Sequence, residues 1–409
     1  MAVCNFTSEH HVLKSEYPSD EELANVELFR CLPEELLQFA SACCVIFMLI
    51  GIPGNLTTII ALARCKKVRN ATAIFIINLH ISNLSFNCFI LPVAAMTFAK
   101  MHWSHGWVMC QAYASIKYML NGSSIFTVLA ITINRYVIVC HPLLYPKLYK
   151  RRNVLISILM IWTSAIGTFI VPIFGLWGRY NLEPTGGFCT MVPDSNHRSP
   201  KKFLLILAFV GPYLTMILCY ARIWYVVRTA KKIQSLNPQC ARPKHLPLSQ
   251  TQSDMTTDDN TMSYCPSSPR SFSNTDSDKT PSSDTSAPQS PREDKPLQKY
   301  FKAPFRFTRK LVVRRKVPSS RDKRLCAMIV AIMISFGISH LPVMAARLAY
   351  KNYHSKPTVN VFAHLLEYSG TWINPIIYVL MSKEYRQAYK SLFETVVNKF
   401  QTLKFKWSR

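Results

Sequence analysis

Acidic residues are scarce in this chain: 22 Asp and Glu stand against 48 Lys and Arg over 409 residues, a formal net charge of +26. Charge of either sign is thin, at 17% of residues against 49% hydrophobic. A soluble domain carries roughly a quarter charged residues, and together with the apolar runs below this excludes a single soluble globular domain. A nucleic-acid binder spreads its basic charge over a soluble surface. Here the apolar residues gather instead into runs such as 39–63, 153–173 and 203–223, which meet the ~20-residue span of a bilayer. No internal repeat is visible, which argues against a transporter built from duplicated halves. No Asp lies inside the runs, and His80, His340 and His364 fall at different depths. That denies a zinc-dependent membrane hydrolase its clustered ligands, so no enzyme, metal or cofactor is expected.

What is present reads as seven helical spans, at about 39–63, 72–98, 107–140, 153–174, 202–230, 322–349 and 358–381. The first run begins too late for an ordinary cleavable signal peptide and reads as a signal anchor. Residues 1–38 hold eight acids against Lys14 and Arg30, whereas the loops after spans 1 and 3 carry Arg64, Lys66, Lys67, Arg69 and Lys147, Lys150, Arg151, Arg152. Positive residues stay on the cytoplasmic side, which puts the N-terminus outside and the C-terminus inside, as in a multi-pass plasma-membrane protein. The division is an outer tail at 1–38, spans 1–5 at 39–233, a third cytoplasmic loop at 234–321, spans 6–7 at 322–381, and an amphipathic helix with cytoplasmic tail at 382–409.

Among the cysteines, Cys4, Cys31, Cys110 and Cys189 fall on the outer side, where disulfides persist. Asn5-Phe6-Thr7 is the sequon in the outer tail and the expected glycosylation site, while those at Asn55, Asn70, Asn83 and Asn121 sit in membrane or cytosol. Residues 234–298, rich in Ser, Thr, Pro and Asp, bury too little surface to order themselves. Thr280-Pro281, Ser268-Pro269 and Ser290-Pro291 there are weak phosphorylation motifs. Residues 299–324 then hold eleven Lys and Arg against Asp322. Beside a cytoplasmic helix end, anionic lipid is a better partner for them than nucleic acid, at about 1 kcal/mol per basic residue.

Polar residues inside spans usually mark function, because lipid cannot solvate them. In order along the chain they are Gly51-Ile52-Pro53-Gly54-Asn55, Asn78-Leu79 with Asn83, Asn134-Arg135-Tyr136, Trp162, Pro212 with Tyr220, and Asn374-Pro375-Ile376-Ile377-Tyr378. Each alone has an ordinary reading as a kink, a close helix contact or an anchor. Together, with Trp103-x-x-Gly106 before Cys110 and Cys189 in the next outer loop, they resemble the rhodopsin-like (class A) G-protein-coupled receptors over all seven spans. The NRY triplet, the Cys140-His141-Pro142 after span 3 and the NPIIY ending are similar to melatonin-like receptors. They are closer still to an arthropod orphan branch, the moody and trapped-in-endoderm receptors, associated with cell migration, polarity and glial barrier control.

The resemblance implies an all-α seven-transmembrane bundle with a short amphipathic eighth helix, in which Tyr385 and Phe393 face lipid; the palmitoylated Cys common after it in the family is not expected here. It implies a Cys110–Cys189 disulfide; whether Cys4 and Cys31, also on the outer side, form a second is left open by the sequence. It also implies an extracellular ligand, a heterotrimeric G protein as partner, and arrestin and kinases besides. Arg135 would hold the Gα C-terminal helix, supported by Tyr220 and Tyr378, with Asn374 and Pro375 in span 7 and Asn134 and Tyr136 flanking Arg135. Asp322 would pair with Arg135 in the closed state. The ligand is expected to be acidic or lipid-like; a seven-span receptor signalling mainly through arrestin or adhesion is the alternative, and a membrane transporter a more distant one.

Departures from the family pattern matter too. Asn83 stands where Asp is usual; with Ser124 and Asn374 it would form a sodium pocket, and a neutral amide makes that pocket weak. Ser339-His340-Leu341-Pro342 replaces C-W-x-P, so His340 takes the place of a Trp at the cavity floor. Its ordinary reading is a neutral, hydrogen-bonded core His, the alternative a pH sensor. Lys117 lies where amine receptors carry Asp, about five helical turns above Arg135, which disfavours an amine ligand. The residues leave two readings open for it: binding a ligand carboxylate or phosphate, or pairing with Glu367. Arg347 and His364 add positive character, and Tyr368 an aromatic wall, to this ligand site.

Overall fold

A run of about twenty apolar residues crosses hydrocarbon with its backbone groups paired internally, which a helix does within one segment. A computed structural model of the chain describes residues 19–29, 32–64, 70–184, 186–194, 196, 198–236, 320–349 and 357–407. All seven expected runs are helical in it. Span 1 is Glu34–Arg64, span 2 Ala71–Lys100, span 3 Gly106–Cys140 and span 4 Arg151–Phe174. Span 5 covers 201–236, span 6 is Ser320–Ala349 and span 7 is Pro357–Met381. Asn5, Cys4, Cys31, the loop 237–319 and the side chains of Asp322 and Arg347 lie outside the described residues.

Six of these helices are long and apolar enough to cross a membrane. Span 7 is not among them, because its buried face is polar: Asn360, His364, Glu367, Thr371 and Asn374 all point into the bundle. The apolar surface lies outside. Leu49, Leu159 and Leu218 are 70%, 63% and 67% exposed, the reverse of a soluble protein and the dress of a lipid-facing wall.

Proline shapes two spans. Pro lacks the N–H for its helical bond and its ring crowds the carbonyl four residues back. A π-helical turn at Phe86–Ile90 runs up to the segment containing Pro92, and another at Ile206–Val210 precedes Pro212. Both relieve that conflict by widening the helix. Span 2 begins at an N-cap, where Asn70 Oδ1 accepts from the Ala73 amide at 3.0 Å. Spans 1 and 7 approach closely at Gly54, where an added Cβ would lie 3.3 Å from the Pro375 ring.

The eighth helix, Lys383–Trp407, has 25 residues and is longer than expected. Phe393 is exposed, as a lipid-facing side chain should be, but Tyr385 is buried against Tyr378 with ring centroids 5.1 Å apart. The expectation that Tyr385 faces lipid is therefore corrected. Ser382 separates the two helices and turns the first residues of the eighth back under the bundle, so Tyr385 closes the core instead.

Two short strands interrupt the helical plan. Arg179–Glu183 (β1) and Phe188–Val192 (β2) pair antiparallel, with Leu182 opposite Cys189. Cys189 is bonded to Cys110 in span 3, which ties this outer hairpin to the bundle. Removing such a bridge typically costs about 2–5 kcal/mol. Cys110→Ala and Cys189→Ala are each expected to lower the amount of protein at the cell surface several-fold, read by flow cytometry of an outer epitope. A normal surface level in both would remove the bridge from the folding account.

Candidate functional site

The outer half of the bundle encloses a cavity of about 470 Å³. Span 3 contributes Lys117 and Asn121 to its wall, span 6 His340, span 7 His364 and Glu367, and the hairpin Phe188. A helix presents residues three and four apart on one face. Lys117 and Asn121 therefore point together into the cavity, as do His364 and Glu367 across from them.

These four side chains form one cluster. Lys117 Nζ lies 3.3 Å from Glu367 Oε2, His364 Nδ1 lies 3.1 Å from the same oxygen, and Asn121 Nδ2 donates to Oε1 at 2.6 Å. An ionised carboxylate can only accept, so His364 Nδ1 carries a proton toward Glu367. Its 3.4 Å approach to Lys117 Nζ is proximity rather than a bond. Lys117 and Glu367 are each 5% exposed. A buried charge at that depth is stable when paired and fully hydrogen-bonded, and three donors on one carboxylate meet that condition.

Tyr368 was expected as a wall of the ligand site. It is not among the residues lining the cavity; it stands behind it, fully buried, its hydroxyl 3.3 Å from that of Tyr113. Lys117 Nζ sits 5.1 Å from its ring centroid, so Tyr368 acts on the site by a cation–π contact beneath the ammonium. His340 lines the cavity with its ring stacked 4.1 Å from Phe336, and its Nδ1 lies 3.1 Å from the Phe336 carbonyl. That geometry fits the ordinary core-His reading. Arg347 is placed on span 6, with its side chain outside the described residues. Asn121 was passed over as a membrane sequon, although its place four residues after Lys117 on one helix face was a usable signal. Phe188 gave none, because its role depends on the hairpin.

A second polar column continues inward. Asn55 Nδ2 donates to the carbonyls of Gly51 and Thr371 at 2.7 and 3.0 Å, and its Oδ1 lies 2.6 Å from His80 Nδ1. Trp162 Nε1 donates to Asn78 Oδ1, whose amide donates to Thr127. Ser124 Oγ reaches Asn83 Oδ1 at 3.4 Å, so the would-be sodium pocket is a pairing of neutral groups. Asn374 Nδ2 bonds its own helix at Gly370 O, 3.4 Å away.

At the cytoplasmic end Arg135 is buried, and Asn134 turns away from it: Asn134 Oδ1 accepts from Thr72 Oγ1 of span 2 at 2.7 Å. Tyr136 instead faces His141, 3.1 Å between hydroxyl and Nε2. Tyr220 packs beside Ile223 and Val226, and Tyr378 is enclosed between His80 and Tyr385.

The family described as 7 transmembrane receptor (rhodopsin family) matches residues 54–378. The G-protein coupled receptor moody of Drosophila melanogaster is 34% identical over 362 residues, covering 88% of this chain and 52% of its own. Protein trapped in endoderm-1 of Drosophila melanogaster is 28% identical over 366 residues, covering 88% of this chain and 79% of its own. The chain thus spans about half the length of the moody relatives. The crystal structure of squid rhodopsin superposes with a TM-score of 0.65 at 21% identity, covering 90% of this chain and 87% of that one; this likeness speaks to the fold.

The cluster generates a stability prediction. Lys117→Ala leaves the Glu367 carboxylate buried without its cation, an error worth about 3–5 kcal/mol. Surface level is expected to fall sharply in Lys117→Ala and to recover in Lys117→Ala/Glu367→Gln, measured by the same flow cytometry. An undiminished Lys117→Ala level would show that the pair carries no folding energy.

Proposed function

Because the chain belongs to the rhodopsin family of seven-transmembrane receptors, signalling proteins of the plasma membrane rather than enzymes, we propose that it converts binding of an acidic extracellular ligand into guanine-nucleotide exchange on a heterotrimeric G protein. The observation that carries the acidic class is the Glu367 carboxylate held by Lys117, His364 and Asn121 inside the cavity. The three donors already form a carboxylate site, and a ligand carboxylate or phosphate competes for it with Glu367. The likeness to the moody and trapped-in-endoderm receptors adds cell migration or barrier polarity as the process served.

In this reading the ligand selects between two arrangements of the bundle by its differential affinity. Displacing Glu367 loosens the link between spans 3 and 7. Span 6 moves outward at the cytoplasmic end, and Arg135 receives the Gα C-terminal helix while Tyr220 and Tyr378 brace the open form. The expected contact of Arg135 with Asp322 concerns a side chain outside the described residues.

Two outcomes test the proposal. In a screen of organic acids by GTPγS exchange, Glu367→Gln is expected to respond at lower concentration than wild type, since Lys117 is released. Lys117→Ala/Glu367→Gln should respond at least about tenfold more weakly, the loss of one charge-assisted contact of about 1.5–3 kcal/mol. Hits lacking an anionic group, and indifferent to Lys117, would refute the acidic class.

The second outcome concerns the G-protein end. Arg135→Ala is expected to abolish exchange at normal surface level across a panel of Gα subunits. Asn134→Asp supplies a carboxylate that, on turning from Thr72 to Arg135, should lower ligand-free exchange about tenfold per 1.4 kcal/mol of new pairing. Full exchange by Arg135→Ala would remove that residue from coupling.

A further inference from the structure

Residues 19–29 were expected as part of a polar outer tail, yet they carry side chains buried as deeply as any in the bundle. Ser19 caps a short helix, Asp20–Ala24, accepting from the Glu22 amide at 3.2 Å. Asp20 Oδ1 accepts the Trp107 backbone N–H at 2.8 Å, which fastens this helix to the outer end of span 3. Beyond it, Leu23, Leu28 and Phe29 are 0%, 3% and 3% exposed and join the outer core. The Leu28 amide donates to Met101 O at 3.4 Å and the Phe29 amide to Pro184 O at 3.1 Å.

Phe29 is the informative residue. Its ring stacks on Phe98 at 5.2 Å and meets Phe188 edge-on at 5.8 Å. Its φ is +56°, a conformation that bulky residues rarely adopt and that surrounding packing must hold. The receiving surface is shaped for it: Gly187 has φ +72°, and a Cβ there would fall 2.0 Å from the Phe29 ring. Both Pro184, which accepts the Phe29 amide, and Gly187 belong to the turn between β1 and β2. The same turn brings Gly186, with Glu183 and Phe188 on either side, to the cavity wall. Phe188 continues the contact inward, edge-on to His364 at 5.9 Å.

We infer that residues 19–29 are a clamp that holds the hairpin turn down against the bundle, with Phe29 as a positioning residue for the outer wall of the cavity. The disulfide at Cys189, the 2.7 Å contact of Thr190 with the Tyr118 hydroxyl and the bond from the Tyr180 hydroxyl to Phe169 O hold the two strands against spans 3 and 4. The turn lies beyond these points, and Phe29 packs on it and bonds it. Access to the cavity is then governed by the clamp, whatever the chemistry of the ligand.

The test uses the full chain on intact cells, with Ala208→Cys as a reporter on the cavity wall. The probe is the membrane-impermeant thiol reagent methanethiosulfonate ethyltrimethylammonium, and the chain without the reporter gives the background. The rate is normalised to surface level. Phe29→Ala and Gly187→Ala are expected to raise the modification rate about tenfold, as local opening becomes more frequent, while Phe29→Leu keeps apolar bulk and stays within about twofold. Asp20→Ala removes the acceptor of the Trp107 amide without touching the aromatic contacts and should give a smaller rise. If Phe29→Ala or Gly187→Ala fails to reach the surface, Asp20→Ala decides: a raised rate supports the clamp and an unchanged rate overturns it. Rates within about twofold of the parent in all surface-expressed clamp variants also overturn it. The readout involves neither acid nor G protein, so failure here leaves the proposed function standing, and failure there leaves the clamp standing.

Discussion

Hydrocarbon can neither donate nor accept a hydrogen bond, so each polar side chain in a spanning segment has to find its partner inside the bundle. Most of the interior follows from that constraint. Asn55 answers the carbonyls of Gly51 and Thr371, His80 answers Asn55, Asn78 answers Trp162 and Thr127, and Thr72 answers Asn134. All but the Asn55–Gly51 bond, which lies within span 1, join two different spans. The net worth of any one is modest, about 0.5–1.5 kcal/mol, but the cost of leaving its partner unmet is larger. The network therefore specifies which helix faces which more than it supplies stability.

The constraint also explains which features could be read in the sequence. Length and apolarity fix the spans, and the loop charges fix their orientation, because both are composition-level properties that lipid imposes directly. Span 7 was legible despite its polar face, since Asn374-Pro375 and Tyr378 form a recognisable pattern. Contacts that depend on three-dimensional return paths were not legible. Tyr385 was assigned to lipid because an amphipathic helix shows which residues share a face, not how the break at Ser382 rotates that face. Tyr368 is expected in the ligand wall from its side-chain type, yet it follows Glu367 by about 100° on the helix and turns under Lys117 instead. The hairpin and the burial of Phe29 arise from short irregular segments with no period to detect.

The cytoplasmic and outer halves differ in the kind of interaction they use. Inward of the cavity, Asn83 and Asn134 are amides at positions where the family usually has acids, and their described contacts are hydrogen bonds between neutral groups. Such neutral hydrogen bonds lack the net charge attraction of an ion pair at the same depth. Around the cavity, the described ion pairs inside the spans converge on Glu367. Charge attraction in a low-dielectric interior is strong and is lost steeply when a partner leaves.

That asymmetry gives the proposed ligand a means of acting at a distance. Replacing the Glu367 carboxylate on Lys117 by a ligand carboxylate leaves the number of buried ion pairs at Lys117 unchanged, so the exchange there is nearly balanced. The difference between the two states then lies in where Glu367 goes. It keeps the Asn121 and His364 donors only if span 7 stays close to span 3, and it gains water only if the cavity opens. Span 7 carries Glu367 and Thr371 on the same helix as Asn374, Pro375 and Tyr378, with Thr371 bonded to Asn55. In the proposed mechanism a shift of Glu367 passes along this one helix to the neutral hydrogen-bond network. The proposed threshold for ligand then lies in the ion pair, and the response of the far end in the neutral bonds.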